Sequence, residues 1–362
     1  MIRKRMVAVL LLLAAGCAQE PTDYSELDLS VGYGSVAGAK IAVSGGLGAI
    51  QDLRSGYIEL WLQSPAVTVT LGLAGSAVED WRIVLRNAVA GMAHLNPGAV
   101  NTSTASQSGT AYTVDINATA GSTYALDFST ADSTTADTFS FAVLSDIQDA
   151  IGDVGDIYNV INSDNSLRFV VSAGDLTHDG TTGQMSRFRD TLSLLNIPFY
   201  ATPGNHDTYD GQYAYWRTIF GRASFTFRYK GATFIFADSS GATVEERVYV
   251  WLRGWVPASA SDVQFFISHY PAIDPCGARN GGFSSRNEAY KLIAILGGGD
   301  VEAIFNGHIH SYYHFDTAGI DTYISGGGGG HPELYDGIGR HYLKVTVDAG
   351  SGSYSVSRVD VD

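Results

Sequence analysis

Polar and ionisable residues follow five separate apolar stretches of the chain, each close to the point where a stretch ends. They are Asp146, Gln148, Asp175, Asn205, His206, His269, His308 and His310. Carboxylate, imidazole and amide oxygen ligands suit divalent Mn, Fe, Zn or Ni. A carboxylate can bridge two ions roughly 3.5–4 Å apart, and such a pair can hold an attacking and a leaving oxygen. A single such residue is usually a cap or a turn, but five groups in order indicate one site for divalent metal ions.

Six apolar stretches predict buried strands, and five of these strands would position the candidate residues. The six stretches are Phe139–Leu144, Phe169–Val171, Pro198–Tyr200, Thr233–Ala237, Gln264–Ile267 and Ala303–Phe305. Between several of them lie helical patterns over 153–162, 183–195, 245–255 and 285–296. Strands that alternate with helices predict an α/β sheet, in which ligands collect at the carboxyl ends of the strands. Alternation along a strand would place His308 and His310 on one face.

The N-terminal part of the chain has a different pattern. Short β-rich runs separated by Gly, Ser, Thr and Asn predict an all-β sandwich over 31–138, with a polar loop at 101–108. Residues 340–361 return to an antiparallel hairpin pattern, so the second domain is expected to cover 139–362.

Composition limits the function classes. The chain has 362 residues, 45% of them hydrophobic and 16% charged, which is enough for a sizeable core. Its formal charge of −15 argues against a partner with a phosphate backbone, so no nucleic acid is expected. A small substrate fits the expected metal site better.

The first seventeen residues have the features of a signal peptide. Arg3 to Arg5 precede an apolar run over 7–15, and the run ends in a segment that resembles a bacterial lipobox at Cys17. We therefore predict lipidation of Cys17, a tether over 18–30, and an envelope location, periplasmic or surface-facing, on a lipid bilayer. An ordinary secretory signal is the alternative. With Cys17 lipidated, Cys276 would be the last free cysteine, so no internal disulfide is expected.

The ordered motifs Asp-x-Gln, Gly-Asp, Gly-Asn-His-Asp, His and Gly-His-x-His resemble the calcineurin-like metallophosphoesterase superfamily over 139–330. The resemblance implies two mixed β-sheets flanked by helices, with a dinuclear centre at the sheet edge. It implies a first metal held by Asp146, Gln148, Asp175 and His310, and a second held by Asp175 as bridge, Asn205, His269 and His308. His206 would be catalytic. The β-rich domain in front resembles the arrangement of purple acid phosphatases.

Two positions depart from the family pattern. Most members have histidine where this chain has Gln148, a weaker neutral ligand, so the first metal is expected to bind loosely or with an extra water. The alternative is that Gln148 does not bind the metal. The group that orients His206 is open between His178, Asp179 and Asp207. No tyrosine matches the ligand of a coloured iron site.

The expected activity is hydrolysis of phosphomonoesters or phosphodiesters by a hydroxide that two metals activate. Arg279 or Arg286 is a candidate phosphate contact, and His314 and His331 are candidate pocket residues. A surface binding or adhesion lipoprotein with a weakened phosphoesterase domain is the alternative.

Overall fold

A computed structural model describes residues 25–259, 261–277, 280–333 and 335–361. The predicted signal peptide with Cys17, most of the predicted tether, and Arg279 lie outside these residues. Within them, no helix is both long enough and apolar enough to span a bilayer.

The N-terminal domain is a sandwich of two five-stranded sheets. Their strand orders are β1-β2-β5-β10-β7 and β3-β4-β6-β9-β8. The strands are β1 (Tyr33–Val36), β2 (Ala39–Ser44), β3 (Gly48–Arg54), β4 (Tyr57–Leu62), β5 (Val67–Leu73), β6 (Asp80–Arg86), β7 (Ala93–His94), β8 (Asn101–Ser108), β9 (Ala111–Asn117) and β10 (Thr123–Ser129). The predicted all-β sandwich is confirmed, but the loop predicted at 101–108 is wrong, because this polar run forms the edge strand β8. An edge strand with one solvent-facing side tolerates polar residues on both faces.

The second domain has two mixed sheets. Their strand orders are β13-β12-β11-β20-β21 and β14-β15-β16-β17-β19-β18. The strands are β11 (Thr138–Val143), β12 (Leu167–Ser172), β13 (Phe199–Ala201), β14 (Phe225–Tyr229), β15 (Ala232–Phe236), β16 (Val263–Ser268), β17 (Ala303–Asn306), β18 (Tyr312–Thr317), β19 (Ile320–Ser325), β20 (His341–Asp348) and β21 (Ser353–Asp360). The seven helices of the described chain are α1 (Ser25–Asp28), α2 (Gly155–Ser163), α3 (Thr182–Thr191), α4 (Asn205–Thr208), α5 (Tyr213–Ile219), α6 (Glu246–Ala258) and α7 (Arg286–Gly297). The predicted fold class is confirmed.

An aromatic core fills the space between these two sheets. Phe139, Phe141 and Phe169 from one sheet meet Phe234 and Phe265 from the other, and all five are buried. Phe141 and Phe234 pack edge to face with ring centroids 5.0 Å apart, a favoured aromatic geometry. Alternate residues of β11, such as Ala142, face a second core under the helices. Burial on both faces explains why these strands are continuous apolar runs rather than alternating ones.

The N-terminal domain covers the edge of the second domain at β13. Asn87 donates to the carbonyl of Phe199 (2.8 Å) and accepts from its backbone N–H (2.9 Å). Gln63 makes the same pair of contacts with Ala201, at 3.3 and 3.2 Å. Two side-chain amides thus satisfy an edge that would otherwise expose backbone donors and acceptors. Since β13 leads directly into Asn205, this contact holds the strand that carries part of the site.

Residues 25–30 of the predicted tether are folded in the structure. Asp28 is 3% exposed and accepts a hydrogen bond of 2.5 Å from the hydroxyl of Tyr213. It also accepts from the backbone N–H of Ala223 at 3.3 Å. The folded part of the chain therefore begins before the predicted boundary at residue 31, because polar side chains here bond to the second domain.

Candidate metal centre

The site lies where the carboxyl ends of the two mixed sheets meet. The strands β11, β12 and β13 of one sheet lead into Asp146, Asp175 and Asn205, respectively. The strands β16 and β17 of the other sheet lead into His269 and His308. One sheet thus supplies the carboxylates and the amide, and the other supplies imidazoles.

Several candidate ligands have strained backbone conformations. Asp146, Gln148, Asp175 and His308 have φ angles of 62°, 47°, 54° and 69°. Residues with side chains adopt this left-handed region at a cost, and such strain concentrates at functional sites. The strand β17 ends at Asn306, so His308 and His310 lie in a bend and not on a strand. The prediction that His308 and His310 lie on one face of a strand is therefore wrong, although both side chains reach the site.

Two glycines leave no room for a side chain beside the carboxylates. A Cβ on Gly204 would lie 2.1 Å from Oδ1 of Asp175, and one on Gly307 would lie 2.4 Å from Oδ2 of Asp146. The glycines in the Gly-Asn-His-Asp and Gly-His-x-His motifs thus allow the loops to close over the carboxylates. The backbone N–H of His308 then donates to both oxygens of Asp146, at 3.0 and 3.1 Å.

The first half of the site consists of Asp146, Asp175 and His310. One possible ligand atom from each of these three buried residues lies within 4.8 Å of the others. Nε2 of His310 is 3.5 Å from Oδ1 of Asp146. The amide nitrogen of Gln148 lies among them, 2.8 Å from Oδ2 of Asp175 and 3.2 Å from Nε2 of His310. Gln148 thus reaches the predicted first metal position, with its N–H₂ group facing the ligands.

The second half of the site consists of Asp175, Asn205, His269 and His308. Nε2 of His269 lies 2.9 Å from Oδ1 of Asn205 and 3.4 Å from Oδ1 of Asp175. The ring of His308 has its centroid 5.2 Å from that of His269. The ring of Tyr270 also lies against His308, with centroids 3.7 Å apart at an angle of 31°. This contact fixes the plane of the His308 ring.

Backbone carbonyls set the tautomers of three histidines. Nδ1 of His269 lies 2.9 Å from the carbonyl of Ala173, and Nδ1 of His310 lies 2.6 Å from the carbonyl of His331. Nδ1 of His206 lies 2.6 Å from the carbonyl of His178. A carbonyl only accepts, so each Nδ1 carries the hydrogen, and neutral imidazole then has a lone pair on Nε2. All three histidines present to the site the nitrogen that can bind a metal.

The buried carboxyl groups also favour a cation. Burial raises the pKa of Asp175, and the charge of Asp146 raises it further. Burial also disfavours the charged form of Asp146, which is buried beside Asp175. Burial lowers the pKa of His269, which keeps its ring neutral. Two carboxyl groups with neutral imidazole and amide oxygen therefore form a donor set that fits one or two divalent ions.

His206 lies at the mouth of this site. Its side chain is 21% exposed, and Nε2 is 4.0 Å from Oδ2 of Asp175. The sequence left open what orients its ring, and the structure places the backbone carbonyl of His178 there. The side chain of Asp179 instead pairs with Gln184 at 2.9 Å. Asp207 is buried and accepts from the backbone N–H groups of Leu176, Thr177 and Gly204 and from the Thr177 hydroxyl, so it ties two site loops together.

The remaining predicted pocket residues have other roles. His331 contributes its backbone carbonyl to His310. His314 lies on β18, where it pairs with Asp321 at 3.0 Å and stacks on Tyr323. Arg286 is exposed at the start of α7.

Sequence reasoning missed two aromatic residues at the site, Tyr209 and Tyr270. Tyr209 lies three residues after His206, and Tyr270 directly follows His269. The glycine run at 326–330 passes close to the ligands, with the N–H of Gly330 donating to the carbonyl of Asp146 at 2.7 Å. No helix follows this run, which is how the sequence distinguishes it from a nucleotide-binding loop.

The fold and the site together define a metallophosphoesterase domain preceded by a β-sandwich. Residues 139–312, just under half of the chain, match the family model of the calcineurin-like phosphoesterases, so this part of the chain is similar to that family. The structure of a purple acid phosphatase from yellow lupin aligns with a TM-score of 0.55 at 12% identity, over 82% of this chain and 70% of that one. This likeness extends over both domains and concerns the fold.

Two curated relatives are named as phosphodiesterases. A probable glycerophosphodiester phosphodiesterase from Arcobacter nitrofigilis is 42% identical over 55 residues, which is 14% of this chain and 20% of the relative. A probable cyclic nucleotide phosphodiesterase from Fibrobacter succinogenes is 24% identical over 165 residues, or 44% and 64% of the two chains. In both cases this chain spans less than two thirds of the relative's length.

Replacement of Gln148 by histidine should strengthen metal binding at the first position. The change removes the amide N–H that faces Asp175 and adds an imidazole, which is a stronger ligand than an amide. In a calorimetric titration of metal-free protein with Mn²⁺, the Kd of the weaker binding step should be at least about tenfold lower in Gln148→His than in the parent. The matched control is Gln107→His in the N-terminal domain. An unchanged titration, or an equal gain in the control, would contradict this role for Gln148.

Proposed function

We propose that this protein hydrolyses phosphoesters at a dinuclear metal centre built by Asp146, Gln148, Asp175, Asn205, His269, His308 and His310. The observation that carries the proposal is the convergence of buried carboxylates with histidine Nε2 atoms whose tautomers are fixed for metal binding. Such a set has little other use, because buried carboxylates without a cation are costly. His206 beside this centre adds a group able to move a proton.

The residues suggest how the reaction would proceed. Two divalent ions, when bound, would supply hydroxide near neutral pH and offset charge on the phosphoryl oxygens. His206 would take up a proton from solvent at Nε2 and pass it to the leaving oxygen, while Nδ1 stays bonded to the carbonyl of His178. That carbonyl would stabilise the positive imidazolium ring. Asp207 would hold the loops of Asp175 and His206 at a constant spacing.

Phosphodiesters are the favoured substrate class within this proposal. Both curated relatives are named for phosphodiester substrates, although this chain spans only part of each. Monoesters remain within the proposal, since the same attack serves both. Purified protein with Mn²⁺, Zn²⁺, Fe²⁺ or Ni²⁺ should hydrolyse bis-p-nitrophenyl phosphate, p-nitrophenyl phosphate, or both, and the ratio of kcat/KM values ranks the two classes. Hydrolysis of neither with any metal would overturn the proposal.

Removal of the His206 side chain should abolish most turnover and spare the metal. We expect His206→Ala to lower kcat about 10²- to 10⁴-fold, as for loss of a general acid. Metal content at saturation, measured by plasma emission, should equal that of the unaltered protein. His314→Ala is the matched control, because this histidine bonds to Asp321 on β18. A kcat of His206→Ala within about twofold of the parent value would rule out the assigned role, because loss of a proton donor lowers kcat far more.

We also propose that the enzyme acts outside the cytoplasm on a lipid anchor at Cys17. The support is the sequence of residues 3–17, which has a basic start, an apolar run and a lipobox-like end. When cells that express the chain are grown with an alkyne-tagged palmitate, the protein should become labelled, and the Cys17→Ser variant should not. Equal labelling of both forms would contradict the anchor, and Cys276→Ser is the matched control.

A further inference from the structure

The hydroxyl of Tyr209 lies between the amide of Asn205 and the ring of His206. It accepts a hydrogen bond of 2.9 Å from Nδ2 of Asn205 and lies 3.4 Å from Nε2 of His206. The two rings pack edge to face with centroids 4.7 Å apart. Tyr209 is 43% exposed, so its own burial does not account for this arrangement. Its hydroxyl links a candidate metal ligand to the candidate proton donor.

A backbone carbonyl gives this link a fixed direction. The carbonyl of His178 can only accept, so Nδ1 of His206 carries the hydrogen of the neutral ring. Nε2 of His206 is therefore an acceptor, and the single hydrogen of the Tyr209 hydroxyl points toward it. The lone pairs of the hydroxyl then remain for the N–H₂ group of Asn205. Each hydrogen bond in this series sets the direction of the next.

The last member of the series is the amide of Asn205. With its nitrogen turned to Tyr209, its oxygen lies 2.9 Å from Nε2 of His269. That nitrogen also carries a lone pair, because Nδ1 of His269 donates to the carbonyl of Ala173. Oxygen and nitrogen lone pairs that face each other need a cation near them. An amide turned the other way would direct two hydrogens at the same place and exclude a cation.

We propose that Tyr209 is a positioning residue that turns the oxygen of Asn205 toward the second metal. The proposal rests on the proposed metal centre, and Tyr209 acts through Asn205 without touching the metal. The effect belongs to the amide, since a carboxylate at position 205 has an oxygen on both sides and needs no orientation. This difference between an amide and a carboxylate supplies the test.

The test is a double-mutant cycle on metal affinity in the full chain. Mn²⁺ alone is titrated by calorimetry into metal-free wild type, Tyr209→Phe, Asn205→Asp and the double variant. Phenylalanine keeps the ring against His206 and removes only the hydroxyl. Tyr209→Phe should weaken the Mn²⁺ step that depends on residue 205 about tenfold, as is usual for an outer partner of a ligand. In the Asn205→Asp background the same change should weaken it less than about twofold.

The outcomes separate the proposals. Equal Mn²⁺ affinity in wild type and Tyr209→Phe would overturn the positioning role and leave the metal centre intact. An equal loss in both backgrounds would also overturn it, because Tyr209 would then act other than by orienting the amide. Absence of Mn²⁺ binding in the wild type would overturn the proposed function, and this inference with it. Thermal unfolding of each variant checks that the fold is retained.

Discussion

Three hydrogen bonds from histidine Nδ1 to backbone carbonyls determine what this site can do. They hold His206, His269 and His310 with their Nε2 atoms toward the buried carboxyl groups of Asp146 and Asp175. A neutral imidazole carries one hydrogen. When one ring nitrogen donates that hydrogen to a carbonyl, the other nitrogen keeps its lone pair and can bind a metal or accept a proton. Without these bonds the rings could present N–H groups to the carboxylates and satisfy them with no metal. The site chemistry therefore depends on where three peptide carbonyls lie.

The fold determines where those three carbonyls lie. Two of them belong to Ala173 and His178, in the loop after β12, and the third belongs to His331, after the glycine run. The aromatic core between the sheets fixes the strand ends from which these loops start. The N-terminal domain adds support at β13 through Asn87 and Gln63, directly before the Asn205 loop. Its position against this edge gives the β-sandwich a structural role in the site.

The sequence predicted most of the elements and the convergence of Asp146, Asp175 and His310 at one edge of the sheets. Buried parallel strands are continuous apolar runs, so the strands before Asp146, Asp175 and His269 stood out. The helix predicted at 285–296 runs from 286 to 297, because Ser285 accepts from the N–H of Glu288 as its cap. The Asp, Asn and His residues after these strands were informative, because ionisable and polar side chains are uncommon in buried loops.

Other features depended on tertiary contacts that no local pattern contains. The polar run at 101–108 forms a strand because β9 pairs with it. The left-handed conformation of His308 is held by the contact of its N–H with Asp146, which is 162 residues away in sequence. The direction of the Asn205 amide follows from a carbonyl at His178 through two other side chains. Hydrogen-bond direction in such series is a property of the assembled site and is invisible in residue order.

The histidine tautomers of the metal-free protein test the central claim most directly. Long-range ¹H–¹⁵N spectra of protein labelled at histidine distinguish nitrogens with and without hydrogen. Substitution of each of His206, His269 and His310 in turn assigns the signals. The hydrogen-bond pattern predicts the Nδ1–H tautomer for all three rings at a pH where they are neutral. An Nε2–H tautomer at His269 or His310 would contradict the account, since those rings would then turn hydrogens toward the carboxylates and could not bind a metal as they lie.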